Sequence, residues 1–219
     1  MADDAAPTAA SDAAPAILRA DHLGASTFIE NGWNRLSACD YDAAEAELVR
    51  ALSLSPGNAE ATVLLGWAKM RNAKYDDALA LFRQLLMREP EHALARANMS
   101  YVFLRMGRLD EAVEQLSGVI RTGGDRRAEL YAHLYLGLAE RERERYAEAE
   151  TVLLRALELG PNLVEAWLEL GRTYWLAGRP GDARTAWQKG VAANRFSPWG
   201  KRCAEVLATV EAGGAPSRD

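Results

Sequence analysis

Apolar residues recur along this chain at helical spacing, in paired stripes separated by short polar turns. The stretch Ala59–His92 shows the unit: one stripe carrying Leu65 and Gly66, a polar turn, a second stripe carrying Ala78 and Phe82, then Pro90. The same skeleton returns four more times. A glycine or serine of the first stripe falls at Gly32, Gly66, Ser100, Gly137 and Gly171, and a small residue opening the second at Ala44, Ala78, Ala112, Ala149 and Ala183. Both series step by 34, 34, 37 and 34 residues. Two markers keeping one beat identify a repeat architecture, in which each unit buries its apolar face against the next.

In the fifth repeat Trp167, Leu170, Gly171 and Tyr174 share one face of a helix, and Ala183 and Trp187 share a face of the next. The glycine lets the second helix approach closely. Pro56, Pro90 and Pro161 end their repeats, because proline cannot continue a helix interior. Trp167-x-x-Leu170-Gly171-x-x-Tyr174 followed by Ala183-x-x-x-Trp187 resembles the tetratricopeptide repeat, and Leu65, Gly66, Ala78, Phe82 and Pro90 match at the same places. The fourth repeat matches with His133, Leu136, Gly137, Ala149, Leu153 and Pro161. The first repeat departs with Asn31 and Arg35 at usually apolar places, the third has Gly124 for proline, and the fifth ends on Arg195. The resemblance implies an all-α, right-handed α-solenoid of five helix-turn-helix repeats, at about 25–58, 59–92, 93–126, 130–163 and 164–196. Ser197-Pro198 opens a further helix over about 197–212, with Trp199, Cys203, Val206 and Val210 on one face, suited to cap the array.

Composition adds limits. Residues 1–20, rich in Ala, Asp and Pro at their start, are expected to form a disordered tail, as are 213–219, although Ile17, Leu18 and Leu23 suit a helix leading into the first repeat. The three extra residues of the 37-residue step, near Arg121–Arg127, are expected as a looser loop. A net charge of −5 argues against a phosphate-backbone partner. Cys39 and Cys203 form no metal or disulfide pattern, and neither a secretory signal nor a membrane span is visible, so a cytoplasmic protein is expected. No phosphate-binding loop, zinc motif or other catalytic constellation is present, so neither enzyme chemistry nor a cofactor is expected. His133 takes the place of Trp167 in its repeat and reads as a packed core imidazole. Glu140–Arg145 reads as a solvated surface run.

The resemblance further implies that first-helix positions 2, 5, 6, 9 and 12 face a concave groove. They hold Trp33, Val63, Trp67, Met70, Asn98, Tyr101, Tyr131, Tyr135, Leu138, Arg172 and Trp175. Some members of the family clamp a partner's C-terminal carboxylate, but only Asn98 fits that pattern here. The row suits an apolar extended peptide or one face of an amphipathic helix. Positions 5 and 12 suit packing between neighbouring first helices equally well. The expected function is a protein-binding scaffold or chaperone-like adaptor. The alternative is a self-assembling protein, a homo-oligomer whose groove is filled by its own or a neighbour's N-terminal segment.

Overall fold

The computed structural model describes residues 13–216, with side chains from Gly24 onward, and among these forms eleven α-helices and no strand. Five pairs follow one another: α1 (Ala13–Ser37) with α2 (Tyr41–Leu54), α3 (Ala59–Arg71) with α4 (Tyr75–Arg88), α5 (Ala93–Arg105) with α6 (Leu109–Thr122), α7 (Arg126–Glu142) with α8 (Tyr146–Leu159), and α9 (Val164–Leu176) with α10 (Pro180–Asn194). Helix α11 (Pro198–Glu211) ends the array. Each helix packs on its neighbours in sequence, and each first helix also meets the first helix of the next pair. The result is an α-solenoid.

The turn inside each pair is one structure built five times. Its residue at position 15 is left-handed: Cys39 (φ 60°), Ala73 (57°), Gly107 (77°), Glu144 (61°) and Gly178 (74°). The next amide then donates to the carbonyl five residues back: Asp40 to Arg35, Lys74 to Lys69, Arg108 to Phe103, Arg145 to Glu140 and Arg179 to Tyr174, at 2.8–2.9 Å. These bonds satisfy carbonyls that an ended helix leaves open. Glycine adopts the left-handed region without cost, so Cys39, Ala73 and Glu144 carry backbone strain that Gly107 and Gly178 avoid.

Packing inside a pair is set at position 8. A Cβ added there would lie 2.6 Å from Leu48 at Gly32, 2.5 Å from Phe82 at Gly66, 2.5 Å from Leu153 at Gly137 and 2.2 Å from the Trp187 ring at Gly171. Those partners, with Leu116 in the third repeat, all sit at position 24 and are fully buried. So are the alanines Ala44, Ala78, Ala112, Ala149 and Ala183 one turn earlier. At the far end α11 lays Cys203, Val206 and Val210 against Trp187, Leu168 and Val164. Ser197 accepts from the Gly200 amide at 3.0 Å to start that helix.

Several expectations change. Helix α1 begins at Ala13, inside the stretch expected as a tail, where alanines and a first-turn proline favour helix; residues 1–12 and 217–219 lie outside the described residues. The extra residues of the third step do not loosen a loop. They lengthen α7 to 17 residues, against 13 in α3, α5 and α9, and Asp125 caps the added turn by accepting from the Arg127 and Ala128 amides. Trp167 is only partly buried, its Nε1 donating to the Pro161 carbonyl at 3.0 Å, and Trp187 is the wholly buried tryptophan of that repeat. The Glu140–Arg145 run is not all solvated: Glu140 is buried with Arg143 and Arg145 against it at 3.5 and 3.6 Å. His133 is buried, and burial and then Arg155 push its pKa down.

Gly171→Ala should displace the Trp187 ring and cost about 1–3 kcal/mol in a denaturant titration. Gly118→Ala, mid-helix in α6 where an added Cβ meets nothing within 4 Å, should instead stabilise by about 0.4–1 kcal/mol. Equal effects at the two sites would show that position 8 does not limit the packing.

Candidate functional site

The first helices line the concave face, and their rings meet along and across it. Trp33 of α1 lies 5.9 Å from Trp67 of α3, Trp67 lies 6.0 Å from Tyr131 of α7, and Tyr131 lies 5.8 Å from Tyr135, which lies 4.5 Å from Tyr101 of α5. The guanidinium of Arg127, in the added turn of α7, stands 4.9 Å over the Trp33 ring. The backbones do not follow. Among the described residues, no Cα of α3 comes within 8 Å of one in α7, α9 or α11, nor does one of α1 approach α7. The Trp67–Tyr131 and Trp33–Arg127 contacts thus bridge helices whose backbones stand apart.

A charged bridge runs beside the rings. Arg71 Nη1 donates to Glu165 Oε1 at 3.3 Å, and its guanidinium lies 4.6 Å over Trp199 of α11 and 5.8 Å over Tyr41. Deeper toward the end of the array, Glu169 accepts from Arg141 and, at 2.8 Å, from Arg172. Burial pushes the Glu165 carboxyl above the usual range and nearby Glu169 adds to that, while Arg71 opposes it. Burial works against the Arg71 charge, but Glu165, Tyr101 and Tyr41 outweigh it and the guanidinium stays charged.

The eleven residues expected on this face divide in two. Val63, Met70, Asn98, Tyr101, Tyr135 and Leu138 are buried between helices, with Tyr135 donating to Asn98 Oδ1 at 3.4 Å. Trp33 is 39% exposed, and Trp67, Tyr131, Arg172 and Trp175 are half-buried. Arg172 and Trp175 line a cleft of about 330 Å3 with Arg141, Tyr146 and Pro216, apart from the ring ladder. Arg71, Arg127, Glu165, Glu169 and Trp199 were not among the residues expected on this face. A signal was available. Positions 2 and 6 hold Tyr131 and Tyr135 in the fourth repeat but Glu165 and Glu169 in the fifth, and carboxylates on an inward stripe require cations opposite.

Tyrosines on this face resist ionisation. Burial, then Glu165, push Tyr101 up to about 12, and the same two causes raise Tyr131 and, further, Tyr135. A raised tyrosine pKa stabilises the fold below the ordinary value near 10, and that contribution is lost as pH rises from there through the folded value. Native absorbance titration should therefore lag behind that of the unfolded chain, and the melting temperature should fall above about pH 10. Replacing Tyr101 and Tyr135 by Phe should shrink the lag; coincident native and unfolded titrations would contradict their burial.

Comparison with known proteins agrees with the fold. One family model described as tetratricopeptide repeat matches residues 35–79 and again 69–135, and a second such model matches 134–198. No curated protein matches the chain significantly. Among solved structures, a thermophilic TPR protein of Thermus thermophilus superposes with a TM-score of 0.73 at 24% identity, over 84% of this chain and 99% of that one. Pseudomonas aeruginosa pilF gives 0.61 at 18%, over 88% and 86%. Yeast Tom70 gives 0.64 at 16%, over 94% of this chain but 45% of its own. At these identities the likeness is one of fold. The family models together span residues 35 to 198, and the chain belongs to the tetratricopeptide repeat family.

Proposed function

We infer that this protein holds an apolar peptide or the apolar face of an amphipathic helix on its concave side, as a non-catalytic, chaperone-like adaptor. Its repeats make it a protein-interaction scaffold with protein partners. The observation that carries it is Trp67. This large ring is half-buried between Trp33 and Tyr131, and the backbones of α3 and α7 stand apart. Side-chain displacement alone frees its face, and a ring so placed is the kind of anchor on which interfaces concentrate their energy. The half-buried Tyr131 and exposed Trp33 extend the same strip. Free cysteines Cys39 and Cys203 suit a reducing, cytoplasmic setting.

The test sets binding against folding. A panel of dye-labelled amphipathic helical peptides, each with a scrambled control, is titrated by anisotropy. Trp67→Ala should keep near-native helicity and weaken the best peptide by about tenfold or more, equivalent to about 1.4 kcal/mol. Trp187→Ala, emptying a fully buried site, should cost about 3–5 kcal/mol of folding stability. If Trp67→Ala unfolds the protein as Trp187→Ala does, the ring is packing and the concave site is lost.

A further inference from the structure

Two residues of α3, Trp67 and Arg71, make contacts from the second repeat across the concave face, and they stand one helical turn apart on one side of the helix. Each has a counterpart in the opposite wall suited to it: Trp67 meets the Tyr131 ring at 6.0 Å, and Arg71 meets the Glu165 carboxylate at 3.3 Å. We propose that this is a self-occupied binding site, in which Tyr131 and Glu165 hold the places that a partner helix fills with an apolar ring and a carboxylate one turn apart.

The inference rests on the concave face being the peptide site, and it names the partner's chemistry and the closure that competes with it. Three observations carry it. First, among the described residues no Cα of α3 lies within 8 Å of one in α7 or α9, and Trp67–Tyr131 and Arg71–Glu165 are contacts of side chain with side chain, which a partner's side chains can replace. Second, the closure uses an ion pair where apolar side chains of similar size would stabilise a permanent contact at least as well. A charge pair is the closure that another carboxylate can displace. Third, the charges select the partner. Arg141 and Arg172 share Glu169, whereas among the described residues the carboxylate paired with Arg71 is Glu165 alone. When the walls part, Arg71 therefore requires an anion to stay paired under a bound helix. Glu165 is also a handicapped competitor, since it is buried beside Glu169 and its ionised form is disfavoured there. A partner carboxylate without such a neighbour has the advantage.

The experiment uses the full chain and three synthetic amphipathic helical peptides that present a Tyr and, four residues on, a Glu, a Gln or a Lys. Wild type should bind the Glu peptide about tenfold more tightly than the Gln peptide. Glu165→Gln, which weakens the internal competitor, should raise affinity for the Glu peptide by several-fold to about tenfold and increase the radius of gyration in small-angle scattering. The charge swap Arg71→Glu with Glu165→Arg should remain compact and transfer the preference to the Lys peptide. That variant decides the matter if Glu165→Gln loses its helical signal. A swapped protein that still prefers the Glu peptide would overturn the proposal. So would Glu165→Gln with unchanged dimensions and affinity. If all three peptides bind equally and neither substitution matters, the closure inference falls while the concave peptide site stands. If Glu165→Gln opens the solenoid and none of the peptides binds it or wild type, both fall together.

Discussion

A gap the size of one hydrogen atom, repeated along the chain, governs how this solenoid is assembled. At Gly32, Gly66, Gly137 and Gly171 the first helix carries no side chain, and Leu48, Phe82, Leu153 and Trp187 occupy the space. Each partner is fully buried, and burial of a side chain of that size contributes about 1.5–3 kcal/mol. The alanine one turn before each partner keeps the second helix equally close. With the pair fixed, the identical left-handed turns at Cys39, Ala73, Gly107, Glu144 and Gly178 give every unit the same internal geometry. Neighbouring units then stack so that each first helix meets the next along one wall.

Stacking brings the two ends of that wall within side-chain reach and no nearer. The interior is filled by long residues: Trp67 against Tyr131, Arg127 over Trp33, Arg71 against Glu165 and Trp199. This filling is chemically unlike the packing inside the pairs, where alanine, leucine and glycine dominate. Removing one partner of a buried ion pair costs about 3–5 kcal/mol, although the intact pair contributes little net stability. The bridge thus specifies which residues meet more than it strengthens the fold.

The repeat beat, the helix pairs and the capping helix were legible because they rest on short-range spacing: position 8 with position 24, and Trp199, Cys203, Val206 and Val210 on one face. The family pattern likewise supplied the expected inner stripe, of which Val63, Met70, Asn98, Tyr101, Tyr135 and Leu138 are buried between helices. Curvature was not legible, because it accumulates from small rotations between units that no single residue encodes. Hence Tyr101, Tyr135 and Leu138 could be placed on the inner stripe but not recognised as enclosed. The pairing of Arg71 with Glu165, 94 residues apart, depends wholly on that curvature. The three extra residues of the third step were misread as a loop because Gly123 and Gly124 signal one; Asp125 instead caps an added helical turn that delivers Arg127 to Trp33.

Early and late repeats meet through side chains across the concave face. A double-mutant cycle between Trp67→Ala and Tyr131→Ala, measured by equilibrium unfolding, tests it most directly. Rings in contact across the face should show a coupling energy of about 0.5–1.5 kcal/mol. Strict additivity of the two substitutions would mean that the walls do not meet in solution and that the concave face stands open.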